Sequence, residues 1–205
     1  MLVHDSIHDE FLERFAHATE QLVVGDPLDP ATDIGPMVDR RHQERVLSYL
    51  DIGKDEGARL VTQGELPGAD HLADGYWVPP TLFADVTPEM RVAQEEMFGP
   101  IACVMRFTDE DEAVRIANDT EYGLTAALVT RDEARAWKLA QHLEAGMVFI
   151  NNYMRRAFLG SPFGGVKGSG YGRENAIETL HEFVRSKNVR FPSGRGKIPT
   201  WPPRD

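Results

Sequence analysis

The sequence predicts an α/β fold built on a largely parallel sheet. Between residues 100 and 150 the chain alternates strand, helix, strand, helix, strand with compact joints, and strands joined through helices pair in parallel. The strand segments there, "IACVMRF" (101–107), "LTAALVT" (124–130) and "GMVFINN" (146–152), are apolar runs, as expected for strands covered on both faces. A length of 205 residues with 41% hydrophobic content supports one sizeable domain, or one domain with an appendage.

The elements follow in order. "MLVH" reads as a short strand. Ile7, Phe11, Phe15 and Leu22 then recur near helical spacing, with Leu12 and Ala18 widening the stripe, so an amphipathic helix is expected to end near Gly25. "GDPLDPATDIGP" (25–36) carries prolines, glycines and aspartates and reads as an ordered surface loop. A second helix is expected from about Asp39 to Gly57, burying Val46, Leu47 and Leu50. "ARLVTQG" is a short strand. "YWVPPTLFADV" is expected to be an edge strand or an extended crossing, because Pro79 and Pro80 cannot donate to a central ladder. Thr108 can cap the helix in "DEDEAVRIAND", whose early acids suit the helix dipole. Ala136, Leu139, Ala140 and Leu143 stripe the next helix. "NAIETLHEFV" suggests a short helix running into a last strand, "FVRSKNVRF", before a tail rich in Pro, Gly and Arg.

Composition narrows the function. The formal net charge is −11, from 33 acidic and 22 basic residues, which disfavours nucleic acid as a partner. No apolar run approaches the roughly 18 residues of a membrane span, and "MLVHDSIHDE" has no secretory character. With one cysteine there is no internal disulfide, so a reducing, cytoplasmic setting is expected.

Several local motifs hint at chemistry. "SPFGGVKGSGYGRE" (161–174) has the look of a phosphate cradle, yet from Gly168 the third glycine of a dinucleotide fingerprint falls one place early, at Gly172, with Arg173 in its stead. Lys167 precedes a glycine, and no Walker "GK[ST]" exists. The stretch is therefore a structural turn or a ligand-lining loop. His4 and His8 stand four apart with Asp5 between them, but they straddle a strand end and a helix start, so no metal is expected. Cys103, inside "IACVMRF", reads as a small buried hydrophobe, with no partner in sequence to favour its thiolate. "AQEEMFGP" (93–100) is either a helix end with a Gly-Pro breaker or a carboxylate and ring presented at a sheet edge, where sites of α/β folds lie.

Taken together, "QEEMFGP", "YGLTAALVTRD", "AGMVFINN" and "SPFGGVKGSGYGRE", with the earlier "VVGDPLDPATDIGPM" and the later "FVRSKNV", resemble the C-terminal part of the NAD(P)-dependent aldehyde dehydrogenase superfamily over residues 1 to 190. The resemblance implies oxidation of an aldehyde to a carboxylic acid: a cysteine attacks the aldehyde, hydride passes to the nicotinamide, and base-activated water hydrolyses the thioester. It implies NAD or NADP as cofactor. By position, Glu96 is similar to the residue that hydrogen-bonds the nicotinamide ribose, and Phe98 to the aromatic packed near the nicotinamide. Asn151 matches an asparagine bordering the active site, and Phe163 an aromatic of the aldehyde channel. Gly164, Gly165, Gly168, Gly170 and Gly172 belong to the loop around it.

The resemblance further implies a catalytic domain truncated at its N-terminus over residues 1–180, an oligomerisation strand at 181–190 and an extended tail at 191–205. On this expectation the chain begins just after the catalytic cysteine motif. It lacks the nucleophile, the general-base glutamate, the oxyanion asparagine and the nucleotide-binding domain, so the chain alone is expected to be inactive and not to bind the dinucleotide stably. Expected partners are a second copy, a complementary N-terminal half or a full-length relative. The alternative is a noncatalytic interaction protein of the same descent.

Overall fold

The computed structural model describes residues 1–152 and 159–191. The part of the expected tail from residue 192 onward lies outside the described residues. Strand β1 (Leu2–His4) leads into helix α1 (Asp5–Glu20), then α2 (Arg40–Asp55), β2 (Arg59–Gln63), β3 (Thr81–Ala84), α3 (Arg91–Gln94), β4 (Ile101–Cys103) and β5 (Met105–Phe107). There follow α4 (Glu110–Asn118), β6 (Thr125–Leu128), α5 (Glu133–His142), β7 (Met147–Ile150) and α6 (Ile177–Glu182).

The described strands form three small sheets. β1 pairs with β5 in parallel. β2, β3 and β4 form a mixed sheet, antiparallel then parallel. β6 and β7 pair in parallel. This corrects the expectation of one largely parallel sheet ending in a C-terminal strand. Residues 183–191 belong to no strand, and β2 brings antiparallel pairing.

The apolar run 101–107 is divided because it changes neighbours. The Val104 N–H donates to the Phe83 carbonyl (2.9 Å), and the Met105 N–H to that of Met1 (2.9 Å). The chain thus leaves β3 for β1 at a buried valine. β3 is not an edge, as its prolines had suggested. It lies between β2 and β4 with all four residues buried, and Pro79 and Pro80 fall just ahead of it, where no ladder donor is required.

Alternation along β3 sets the core. Phe83 packs with Tyr49, Leu50, Val92 and Cys103, while Leu82 and Ala84 pack on the other face with Val3, Leu12 and Val104. α2 covers one face and α1 the other. α2 is N-capped by Asp39, whose carboxylate accepts from the His42 N–H (2.7 Å), and it buries Val46 and Leu50 as its pattern predicts, while Leu47 is only half-buried. α1 is rotated from its predicted face: His8, Leu12 and Thr19 are buried, while Ile7 is exposed. A hydropathy pattern scores His8 and Thr19 as polar, although Thr19 meets its hydroxyl's need locally by donating to the Phe15 carbonyl (2.9 Å). α4 is capped by Asp109 rather than Thr108. Thr108, one residue before the cap, instead donates its N–H and its hydroxyl to the Glu112 carboxylate (2.8 Å each).

The β6–β7 pair is covered less. All of its residues but one are half-buried and Ala127 is exposed, with α5 contributing Ala136 as its buried contact. The expectation of strands buried on both faces fails here.

Candidate functional site

The two acids of "QEEMFGP" take different tasks. The Glu95 carboxylate is gripped by the Arg91 guanidinium (Nε 2.7 Å and one Nη 2.9 Å) and by the Tyr49 hydroxyl (2.7 Å). Those hydrogen bonds, Arg91's first, hold its carboxyl down at about 2. Glu96 is exposed, and its carboxylate enters no ion pair or side-chain hydrogen bond among the described residues. Its carbonyl accepts from Arg45 (3.0 Å), so the backbone is fixed and the acid is left available. Phe98 follows with φ +54°, a left-handed conformation uncommon for a bulky residue, and presents a ring that is 73% exposed.

Glu96 lies on an open cleft of about 380 Å³ between the α3 end, the α4 end and the start of β6, lined also by Asn118, Tyr122, Glu144 and Ser169. Asn151, with φ +51°, lies on a second cleft of about 510 Å³ with Val129, Arg131 and Glu133. The two clefts share no lining residue, and Phe98 and Phe163 line neither. The Asn151 amide clasps the ends of β6 and β7. Its oxygen accepts from the Thr130 N–H (2.9 Å), and its nitrogen donates to the Thr130 carbonyl (2.8 Å). Phe163 is held by a two-bond antiparallel bridge to Glu174 (3.0 and 2.7 Å) and remains 38% exposed.

The glycine-rich loop reads as a packing device. A Cβ on Gly146, at the entrance to β7, would overlap the Gly164 carbonyl oxygen, so two backbones meet where no side chain fits. Lys167 is committed too: its ammonium pairs with Glu144 (2.6 Å) and donates to the Asn118 carbonyl at the end of α4 (2.8 Å). Arg173 donates to the Gly165 (2.9 Å) and Gly172 (2.6 Å) carbonyls. The cations that suggested a phosphate cradle are engaged in fastening the loop.

Cys103 is no nucleophile in this setting. Burial pushes its thiol up to about 11, and its sulfur faces the Val92 carbonyl (3.5 Å) inside the core. Among the described residues no group of His, Cys, Asp and Glu could hold a metal, and no helix is long and apolar enough to cross a membrane.

Three residues that sequence reasoning missed frame this region: His42, Arg45 and Tyr49, all on α2. Their spacing of three and four is legible as one helical face, but their partners lie 46 to 56 residues away, beyond any local pattern.

The model of the aldehyde dehydrogenase family matches residues 1–189. This chain belongs to the aldehyde dehydrogenase family. It is 50% identical over 201 residues to the aldehyde dehydrogenase citD of Monascus ruber, covering 98% of this chain and 40% of that protein. To the betaine aldehyde dehydrogenase of Sinorhizobium fredii it is 47% identical, covering 97% and 40%. Among solved structures, HpcC of Thermus thermophilus superposes with a TM-score of 0.90 at 42% identity, covering 98% of this chain and 39% of that one. A betaine aldehyde dehydrogenase variant of Staphylococcus aureus in complex with NAD+ superposes at 0.86 with 36% identity, covering 96% and 41%.

The chain thus spans about 40% of the length of the curated relatives it matches. This corrects the expected placement at the C-terminal part of the catalytic domain, beginning just after the cysteine motif. A share of about 40% identifies a stretch of an aldehyde dehydrogenase and does not tie Met1 to that motif.

Proposed function

We propose that this chain furnishes the cofactor-side loop and the channel-side loop of an NAD(P)-dependent, aldehyde-oxidising enzyme, and that the nucleophilic thiol comes from elsewhere. The observation that carries the reading is the division between Glu95 and Glu96. Both acids line the same cleft, but the Glu95 carboxylate is consumed by Arg91 and Tyr49 while that of Glu96 enters no ion pair or side-chain hydrogen bond among the described residues, and Phe98, two residues on, presents an exposed ring. A free carboxylate suits a pair of ribose hydroxyls, which donate hydrogen bonds to it. The Phe98 ring suits the flat face of a nicotinamide. When bound, the dinucleotide supplies a hydride acceptor.

The chain's own residues position and enclose. Glu96 accepts from the ribose, Phe98 shields the nicotinamide end, and Phe163 borders the passage for the aldehyde. Asn151 keeps the ends of β6 and β7 together. The sole cysteine in the sequence, Cys103, is buried with its thiol pushed up to about 11, which supports a nucleophile outside this chain. The exposed apolar side chains of Phe183, Val184 and Phe191 support a protein partner of the same family, either a second copy or a complementary segment.

Aldehyde-dependent NAD(P)H formation by the purified chain tests the reading. No turnover above the uncatalysed rate is expected. Turnover that persists on purification and disappears in Cys103→Ala overturns it.

A further inference from the structure

The cleft of about 510 Å³ at the ends of β6 and β7 is lined by polar groups that are mostly committed already. The Asn151 amide is spent on both backbone groups of Thr130 (2.9 and 2.8 Å). The Thr130 hydroxyl accepts from the Asp132 N–H (3.2 Å), and the Asp132 carboxylate caps α5 through the Arg135 N–H (3.0 Å). Farther along α5, Arg135 and Lys138 both pair with Glu110 (2.6 and 3.4 Å). Two charges remain. Arg131 and Glu133 line the cleft, and neither side chain enters an ion pair or hydrogen bond among the described residues. They stand two apart, on either side of the Asp132 cap, a spacing that does not turn side chains towards each other.

The other side chains of the lining are apolar. Ala136 is buried, Ile150 is half-buried, and Val129 is 87% exposed. The walls keep their shape without a ligand, because β6 and β7 pair in register up to Leu128 and Ile150 and the Asn151 clasp closes their ends. Such a cleft is prepared before anything enters it, which lowers the cost of binding. Its charges decide what enters. A simple anion is drawn to Arg131 and repelled by Glu133, and a simple cation meets the reverse. A molecule with both charges, held apart by a hydrocarbon chain, satisfies both side chains and covers the apolar lining.

We propose that this cleft binds a small zwitterion, with its carboxylate on the Arg131 guanidinium, its ammonium on the Glu133 carboxylate, and its hydrocarbon chain over Val129, Ala136 and Ile150. The guanidinium offers two parallel N–H donors to a carboxylate, and the Glu133 oxygens accept from an ammonium. The site shares no lining residue with the Glu96 cleft, so it stands whether or not Glu96 serves a cofactor. Both charged side chains are exposed, and exposed charges attract weakly and are screened by salt, so millimolar binding at low ionic strength is expected.

The test titrates the full 205-residue chain, labelled with ¹⁵N, with γ-aminobutyrate at low ionic strength. Butyrate and butylammonium, which each keep one of its charges, serve as comparison probes. γ-Aminobutyrate is expected to shift the amides of Arg131, Glu133 and Asn151, and each single-charge probe to bind about tenfold more weakly. Arg131→Met should reduce γ-aminobutyrate to the affinity of butylammonium for the wild type, and Glu133→Gln to that of butyrate. Both positions are exposed, so either variant should keep its melting temperature within about 2 °C of the wild type. Amides at the cleft that ignore γ-aminobutyrate, equal affinity for the three probes, or variants that bind it as the wild type does would each overturn the proposal.

Discussion

The region around β3 and the region around β6 and β7 are stabilised by different means. At β3, Leu82 and Phe83 are fully buried on opposite faces, each under its own helix, and burial of apolar surface is the dominant contribution. At β6 and β7 the strands are half-covered and joined at their ends by the Asn151 amide, and the glycine-rich loop is fastened by backbone contact and by Lys167 and Arg173 bonding to carbonyls. Further along, Phe183 and Val184 are 84% and 68% exposed. The first region completes its own core. The second spends its polar groups on shape and leaves apolar side chains exposed.

The largest effect should come from Phe83→Ala. Deleting a fully buried ring that touches α2, α3 and β4 is expected to cost about 3–5 kcal/mol, read from urea denaturation. Hydrogen exchange should show β2, β3 and α2 opening together. A loss below about 1 kcal/mol would break the claim that the β3 region rests on side-chain burial.

Next comes Gly146→Ala. Its added methyl would collide with the Gly164 carbonyl oxygen, and backbone cannot swing aside as a flexible side chain does. The expected cost is about 1–3 kcal/mol, confined to residues 163–172, where exchange should quicken while β3 stays protected. A Gly146→Ala chain as stable as wild type would mean that the loop is not seated by this contact.

What was legible in the sequence divides along the same line. Helix α2 and the burial of Val46 and Leu50 were readable because side-chain periodicity reports directly on burial. The short strands up to β7 were found for the same reason, whereas the expected last strand, "FVRSKNVRF", is not formed over residues 183–191. The break at Val104 was not, because a residue that changes partners keeps the composition of one that does not. The face of α1 was misread because His8 and Thr19 are buried polar residues. In the candidate site, the family blocks pointed to Glu96 and Phe98, and the failed glycine spacing removed the phosphate cradle. The commitment of Lys167 to Asn118 and Glu144, and of Glu95 to Tyr49 and Arg91, are long-range or conformational facts that no local pattern encodes. An acid pair in sequence does not say which member is free.

That last point can be measured through pH, with the smallest expected effect. Glu95 has a carboxyl held at about 2, below its ordinary value of 4.5. A depressed folded-state pKa contributes stability that is fully present above the unfolded value, so the Arg91–Tyr49–Glu95 group stabilises above about pH 4.5 and loses that effect as pH falls towards 2. The Arg91 and Glu95 side chains are 51% and 40% exposed, so solvent screening leaves a shift in melting temperature of about 2 °C or less. Comparing wild type with Glu95→Gln cancels the other carboxylates: the wild type should lose slightly more stability over that range. Tyr49→Phe should lie between them, since it removes one donor and leaves Arg91 in place. A Glu95→Gln chain whose acid limb matched that of the wild type would break the claim that Arg91 and Tyr49 hold the Glu95 carboxylate.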